Sequence, residues 1–213
     1  MTPGGKSPLR FEHARMVRNL IRMYADTSTE FDRVTGAQWY PLAHRTVLEW
    51  ADTYGFSIAT TACVIAAVSP QVPWERNLII ADDILANRAP SISALRSNVR
   101  KAEHVRDNRL SNLLATFPLG PKVNHFAVNL AGDYSKVTVD AHALQAALND
   151  VLSVRTLRWS AYAVVASAYE TAAHRLHLDP AILQAIIWVT WKRLHPAAAK
   201  RAVRRQWDAI GEY

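Results

Sequence analysis

Residues 120–142 read GPKVNHFAVNLAGDYSKVTVDAH, a stretch that holds two helix starts joined by one short helix and one connector. Pro121 suits the first turn of a helix, where its missing N–H forfeits no hydrogen bond, so Gly120, Pro121 and Lys122 open a short apolar helix. The segment SKVTV (135–139) is the one strand-like alternation in the chain, too short and solitary to build a sheet, and is expected to be an extended connector. Asp140 then precedes AHALQAAL and is the natural N-cap of a second helix, its carboxylate accepting backbone N–H bonds.

Working outward, nearly every periodic segment repeats its apolar residues at spacings of three and four, which predicts an all-α fold. FEHARMVRNLIRMYA (11–25) places Met16, Leu20, Met23 and Tyr24 on one side of a helix, and AQWYPLAHRTVLEWADTYG (37–55) continues as a helix that stops at Gly55. SIATTACVIAAV (57–68), capped by Ser57 and apolar nearly all round, reads as a central buried helix that the turn SPQVPW (69–74) breaks. ERNLIIADDILA (75–86), SISALRSNVRKAEHVRDNRL (91–110) and RWSAYAVVASAYETAAHRL (158–176) are further helical segments. In the last, PAILQAIIWVTWKRL (180–194), Asp179 takes the cap and Pro180 the first helical position.

The 213-residue chain is half hydrophobic, enough to bury a core, and carries 25 Lys and Arg against 18 Asp and Glu, a formal charge of +7. From Asp179 to Asp208 there is no other acid, while Lys192, Arg193, Lys200, Arg201, Arg204 and Arg205 fall in between. A solvated basic helix is the plain reading of such a run, but with this overall charge a polyanion is the expected partner, nucleic acid before an acidic membrane. No apolar run approaches the roughly 20 residues that span a bilayer, so a cytoplasmic, monomeric protein without membrane contact is expected. The lone Cys63 sits in an apolar run and offers neither a disulfide nor a cysteine-based metal site. His125, His142, His174 and His177 share no compact ligand motif, so neither a metal nor any other cofactor is expected.

Lys122 lies at the end of a helix that carries partial positive charge, which disfavours an ammonium and, with partial burial, favours the nucleophilic neutral amine. The simpler role is a solvated cation that meets a phosphate. Asp140 as a cap is held fixed, which also suits a carboxylate that stabilises a developing cation. A helix of residues 123–131 advances about 13 Å. The extended connector after it reaches up to about 26 Å, so the chain can return to its starting level and both helix starts can face one cleft.

These residues carry a resemblance. The stretch is similar to the helix-hairpin-helix and Gly/Pro-Asp segment of DNA glycosylases of the endonuclease III class, whose pattern runs L-P-G-V-G-x-K-T-A through a helix to V-D-T-H. Gly120 and Lys122 match the second hairpin glycine and the lysine, Asn129 an asparagine that ends the helix, and Val139 to His142 the terminal motif, with the lysine-to-aspartate spacing kept. Upstream, VIAAVSPQVPWERN (64–77) resembles the family's L-S-x-Q segment, whose glutamine enters the DNA stack, which points to Gln71. The resemblance covers residues 55–150. Pro118 stands where the hairpin's first glycine would be, and the C-terminal iron–sulfur cysteines have no counterpart.

The resemblance implies a two-lobed helical fold, with residues 1–30 and 135–213 in one lobe and 31–134 in a barrel-like second lobe ending in a hairpin-like segment, 111–131. It implies a DNA N-glycosylase acting on a base flipped from double-stranded DNA, with Lys122 as nucleophile and Asp140 as its partner. A Schiff base and strand elimination would add AP-lyase activity. Gln71 and Trp74 would fill the vacated stack, although Trp74 reads equally well as a core aromatic. Gly120, Asn129, Lys200, Arg201 and Arg204 complete the expected DNA contacts. His142, Gln184 and Trp188 are candidates for a base pocket, with a core stripe the leading reading for Gln184, Trp188 and Trp191. Two alternatives stay open. One is a transferase or pyrophosphorylase that hypermodifies thymine in phage DNA, as implied by a resemblance to alpha-glutamyl/putrescinyl-thymine pyrophosphorylase-like proteins. The other is a DNA-binding module without catalysis.

Overall fold

The computed structural model describes residues 8–108, 119–151 and 159–196. Among the described residues every regular element is helical: α1 (Pro8–Arg22), a π-helical turn (Met23–Thr27), α2 (Glu30–Tyr54), α3 (Ile58–Val68), α4 (Trp74–Leu85), α5 (Arg96–Asn108), α6 (Pro121–Leu130), α7 (Ala141–Leu148), α8 (Trp159–Leu176) and α9 (Pro180–Leu194). Residues 135–139 form no strand and lead directly into α7. No single described helix is long and apolar enough to cross a membrane.

The chain divides into two compact units. One comprises Met1–Trp39 and Val137–Tyr213, the other Tyr40–Lys136. The 39/40 division lies inside α2, which starts earlier than its apolar period suggests and runs through Pro41. Its start is fixed by a reciprocal cap: Thr29 Oγ1 accepts from Asp32 N at 3.1 Å, and Asp32 Oδ2 accepts from Thr29 N at 2.9 Å.

The first unit closes around α8 and α9. Tyr169 and Trp191 are almost wholly buried among the aliphatic side chains of α1 and α7, and Trp191 Nε1 donates to Gln145 Oε1 at 3.2 Å. Asp32, 1% exposed, receives three hydrogen bonds from the Arg193 guanidinium at 2.6–3.1 Å, and this pairing holds its carboxyl below the usual range. Gly36 is a glycine for lack of space: a Cβ there would lie 2.4 Å from Ile186 Cα, so α2 and α9 touch backbone to backbone.

The second unit is built on α3. Ser57 caps it, accepting from Thr60 N at 3.0 Å, and Thr60 to Val68 are all buried, as its uniform apolarity predicts. α4, α5 and α6 pack around it. Cys63 lies inside, where burial pushes its thiol up to about 12. The helix expected from residue 91 begins only at Arg96. Ser91 gives its N–H and its hydroxyl to Asp83 Oδ2, at 2.7 and 2.6 Å, and so holds this part of the chain out of the helix.

Candidate functional site

In the second unit, Gly120 caps α6 with φ 80°, a value that favours glycine, and among the described residues no atom beyond its chain neighbours lies within 4 Å of where a Cβ would stand. Gly120 O accepts from Asn124 N at 3.0 Å, but no side chain caps this helix start and its first turn contains no acid. A positive helix end with open surroundings and a lysine in its first turn is suited to an anion. Lys122 is exposed, so the partial burial expected for it is not found.

One turn on, Phe126 is buried and meets Tyr40 and Trp74 with ring centroids 6.3 and 6.5 Å away, both edge-on. The structure thus places Trp74, the first residue of α4, in contact with α6 in a half-buried position, the core role that the sequence also allowed. Asn129 is fully buried near the end of α6 and does not offer its side chain at the surface. Gln71 occupies the turn between α3 and α4 with φ 67°, a left-handed conformation that a side chain enters at a cost of about 1–3 kcal/mol. Its Oε1 is turned into the protein, where it has no hydrogen-bond partner among the described residues. Asn77, one turn into α4, is 1% exposed with both side-chain polar atoms unpaired, and buried Asn98 has an unpaired Nδ2. An amide buried in this way forfeits about 1–3 kcal/mol of solvation, so stability does not explain it. Sequence reading passed over Asn77 although it lies in VPWERN, because burial is what makes it unusual and burial is not written in a single residue.

Asp140 belongs to the first unit. It caps α7 as expected, extended at φ −106° and ψ −175°, with Oδ1 accepting from Ala143 N at 2.8 Å. Two buried tyrosines brace it. Tyr162 OH donates to Val137 O at 2.8 Å and accepts from Val139 N at 3.3 Å, which fixes the connector leading into Asp140. Tyr169 OH donates to Ala143 O at 3.1 Å, and burial pushes this phenol well above its ordinary value, so it stays a donor. His142 is half-buried on the same first turn, with Nδ1 enclosed and unpaired.

On α9, Gln184 is buried, and Trp188 is half-buried with Lys192 Nζ 3.9 Å from its ring centre. Lys192 and Arg193 of the basic run are therefore engaged within their own unit, by Trp188 and Asp32. Lys200, Arg201 and Arg204 lie outside the described residues, as do Pro118 and the rest of 111–118 in the expected hairpin-like segment. Among the described residues no three His, Cys, Asp or Glu side chains come together as metal ligands.

Neither the curated proteins nor the solved structures include a match to this chain. A family model described as a family of unknown function, DUF7178, matches residues 6–195. That span takes in every described helix from α1 to α9, and the chain belongs to the DUF7178 family.

Proposed function

We propose that the protein is a DNA N-glycosylase with AP-lyase activity, acting on a base flipped out of double-stranded DNA. The observation that carries this reading is the pair of helix starts: an open, acid-free start that presents Lys122, and a braced start that fixes Asp140, at the spacing of the glycosylase motif. In the reaction the Lys122 amine forms a bond to the sugar C1′ while the N-glycosidic electron pair leaves with the base, which takes up a proton. The attacking nitrogen loses a proton, and the sugar ring opens to an imine as its ring oxygen is protonated. Loss of a C2′ proton then expels the 3′ phosphate. Asp140 supports the positive charge that develops at C1′ and helps to deprotonate the amine.

Borohydride tests this reading by reducing the imine to a stable amine. Wild-type protein incubated with duplexes carrying damaged or modified bases is expected to form a covalent adduct, and Lys122→Ala to form none. A borohydride-treated reaction with no adduct on any such duplex, in a protein that still binds DNA, would overturn it.

The exposure of Lys122 and the capping bond of Asp140 favour, as a second reading, a DNA-binding module without catalysis in which Lys122 contacts phosphate. Its signature is salt-dependent affinity that Lys122→Ala weakens while no adduct forms.

A further inference from the structure

The connector between α4 and α5 is fastened from one side. Ser91 is held by Asp83, Arg76 Nη2 donates to Ser93 O at 3.3 Å, and Arg88 grips Asp83 and Asp82 at 3.1 and 2.8 Å. Pro90, Ile92 and Ala94 of the same connector, together with α5, line an open groove of about 340 Å³. Val99 extends this apolar surface, and Arg96, Arg100 and Glu103 supply its charges.

Arg96 and Arg100 stand one turn apart at the start of α5, with Lys101 beside them and no acid in the first turn. Cations at a positive helix end repel both the helix and one another, an arrangement that an anion relieves. Both arginines are exposed, and none of the ion pairs among the described residues involves either. The apolar floor needs a ligand with an apolar face, the guanidinium pair needs a phosphate or carboxylate, and the volume lies near the lower end of the roughly 300–1,000 Å³ usual for small-molecule sites.

We propose that this groove is a nucleotide site, with a base on Pro90, Ile92 and Val99 and its phosphate on Arg96 and Arg100. The proposal rests on the reading of nucleic acid as the partner, but it is independent of Lys122 and Asp140. A nucleotide suits the groove better than an acidic peptide because the arginine pair and the apolar side chains adjoin each other in one lining, as phosphate and base do in one ligand.

The test is fluorescence anisotropy with a labelled single strand and the matching duplex, over a range of salt concentrations. The proteins are the wild type, Arg96→Ala/Arg100→Ala and Ile92→Asp, with folding checked by circular dichroism. Losing the one phosphate contact that the arginine pair makes is expected to reduce the magnitude of the slope of log Kobs against log salt by about 0.7 on the single strand. Ile92→Asp is expected to weaken single-strand binding roughly tenfold or more, because a carboxylate in the apolar floor disfavours the base and repels the phosphate beside it. Displacement by a nucleoside monophosphate would identify a free nucleotide as the ligand, and displacement by strands alone a nucleotide within a strand. Unchanged affinity and slope in the arginine variant, or displacement by poly-glutamate as effective as by DNA, would overturn the groove and leave the proposed glycosylase standing. No binding of DNA or nucleotide by the wild type would overturn both.

Discussion

At the scale of single residues, the aspartate at position 140 has two separable duties. Its carboxylate closes the first turn of α7 through Ala143 N, and in the proposed reaction its charge faces a cation. Asparagine caps a helix about as well as aspartate but carries no charge. Asp140→Asn is therefore expected to keep the thermal midpoint close to that of the wild type and to retain DNA binding while abolishing base excision. Asp140→Ala loses the cap as well and is expected to destabilise the fold by about 1 kcal/mol. Thermal unfolding and an excision assay on the two variants separate these duties, and equal excision by wild type and Asp140→Asn would show that the residue only caps.

At the scale of elements, the connector 137–139 keeps its course because a tyrosine on α8 holds it at two points. Tyr162→Phe keeps the buried ring and removes both bonds, and is expected to cost about 1–3 kcal/mol, read as a lower urea midpoint with an unchanged denaturant slope. The helices themselves are legible in the sequence. The caps at Ser57 and Asp140 and the apolar periods of α3, α6 and α9 appear where the residues place them. Two starts are not. α2 begins at Glu30 because Thr29 and Asp32 cap each other, a signal present in TSTEFD but weaker to the eye than the later apolar period. α5 begins late because Asp83 binds Ser91 across the turn, a tertiary contact that no local pattern contains. The candidate site divides in the same way. The cap of Asp140 and the open start at Gly120 follow from local sequence, while the burial of Asn77, the braces on Asp140 and the groove beside α5 depend on which elements meet.

At the scale of the whole molecule, each unit carries a carboxylate held below its ordinary range: Asp32 by the Arg193 guanidinium, and Asp83 chiefly by its hydrogen bonds from Ser91. An acid with a depressed folded value contributes stability that is fully present above its unfolded value, about 3.9 for aspartate, and is lost as pH falls through the folded value. Urea midpoints are accordingly expected to be insensitive to these two groups near neutral pH and to fall below about pH 4. Asp32→Asn and Asp83→Asn should each flatten that acid slope, and an unaltered slope in both would show that other carboxylates govern acid unfolding.

The first unit is also assembled from the two ends of its chain. Arg15 and Asn19 of α1 reach Leu148 O and Ala147 O at 3.4 and 3.0 Å, and the apolar face of α1 is covered by α7 and α8. During synthesis α1 leaves the ribosome long before those partners exist. At about 5–20 residues per second the delay is roughly 6–25 s for α7 and roughly 8–31 s for α8. Through that interval Met16, Val17, Leu20 and Met23 are a nascent hydrophobic surface with no place to dock, which makes this helix the natural client of a ribosome-associated chaperone.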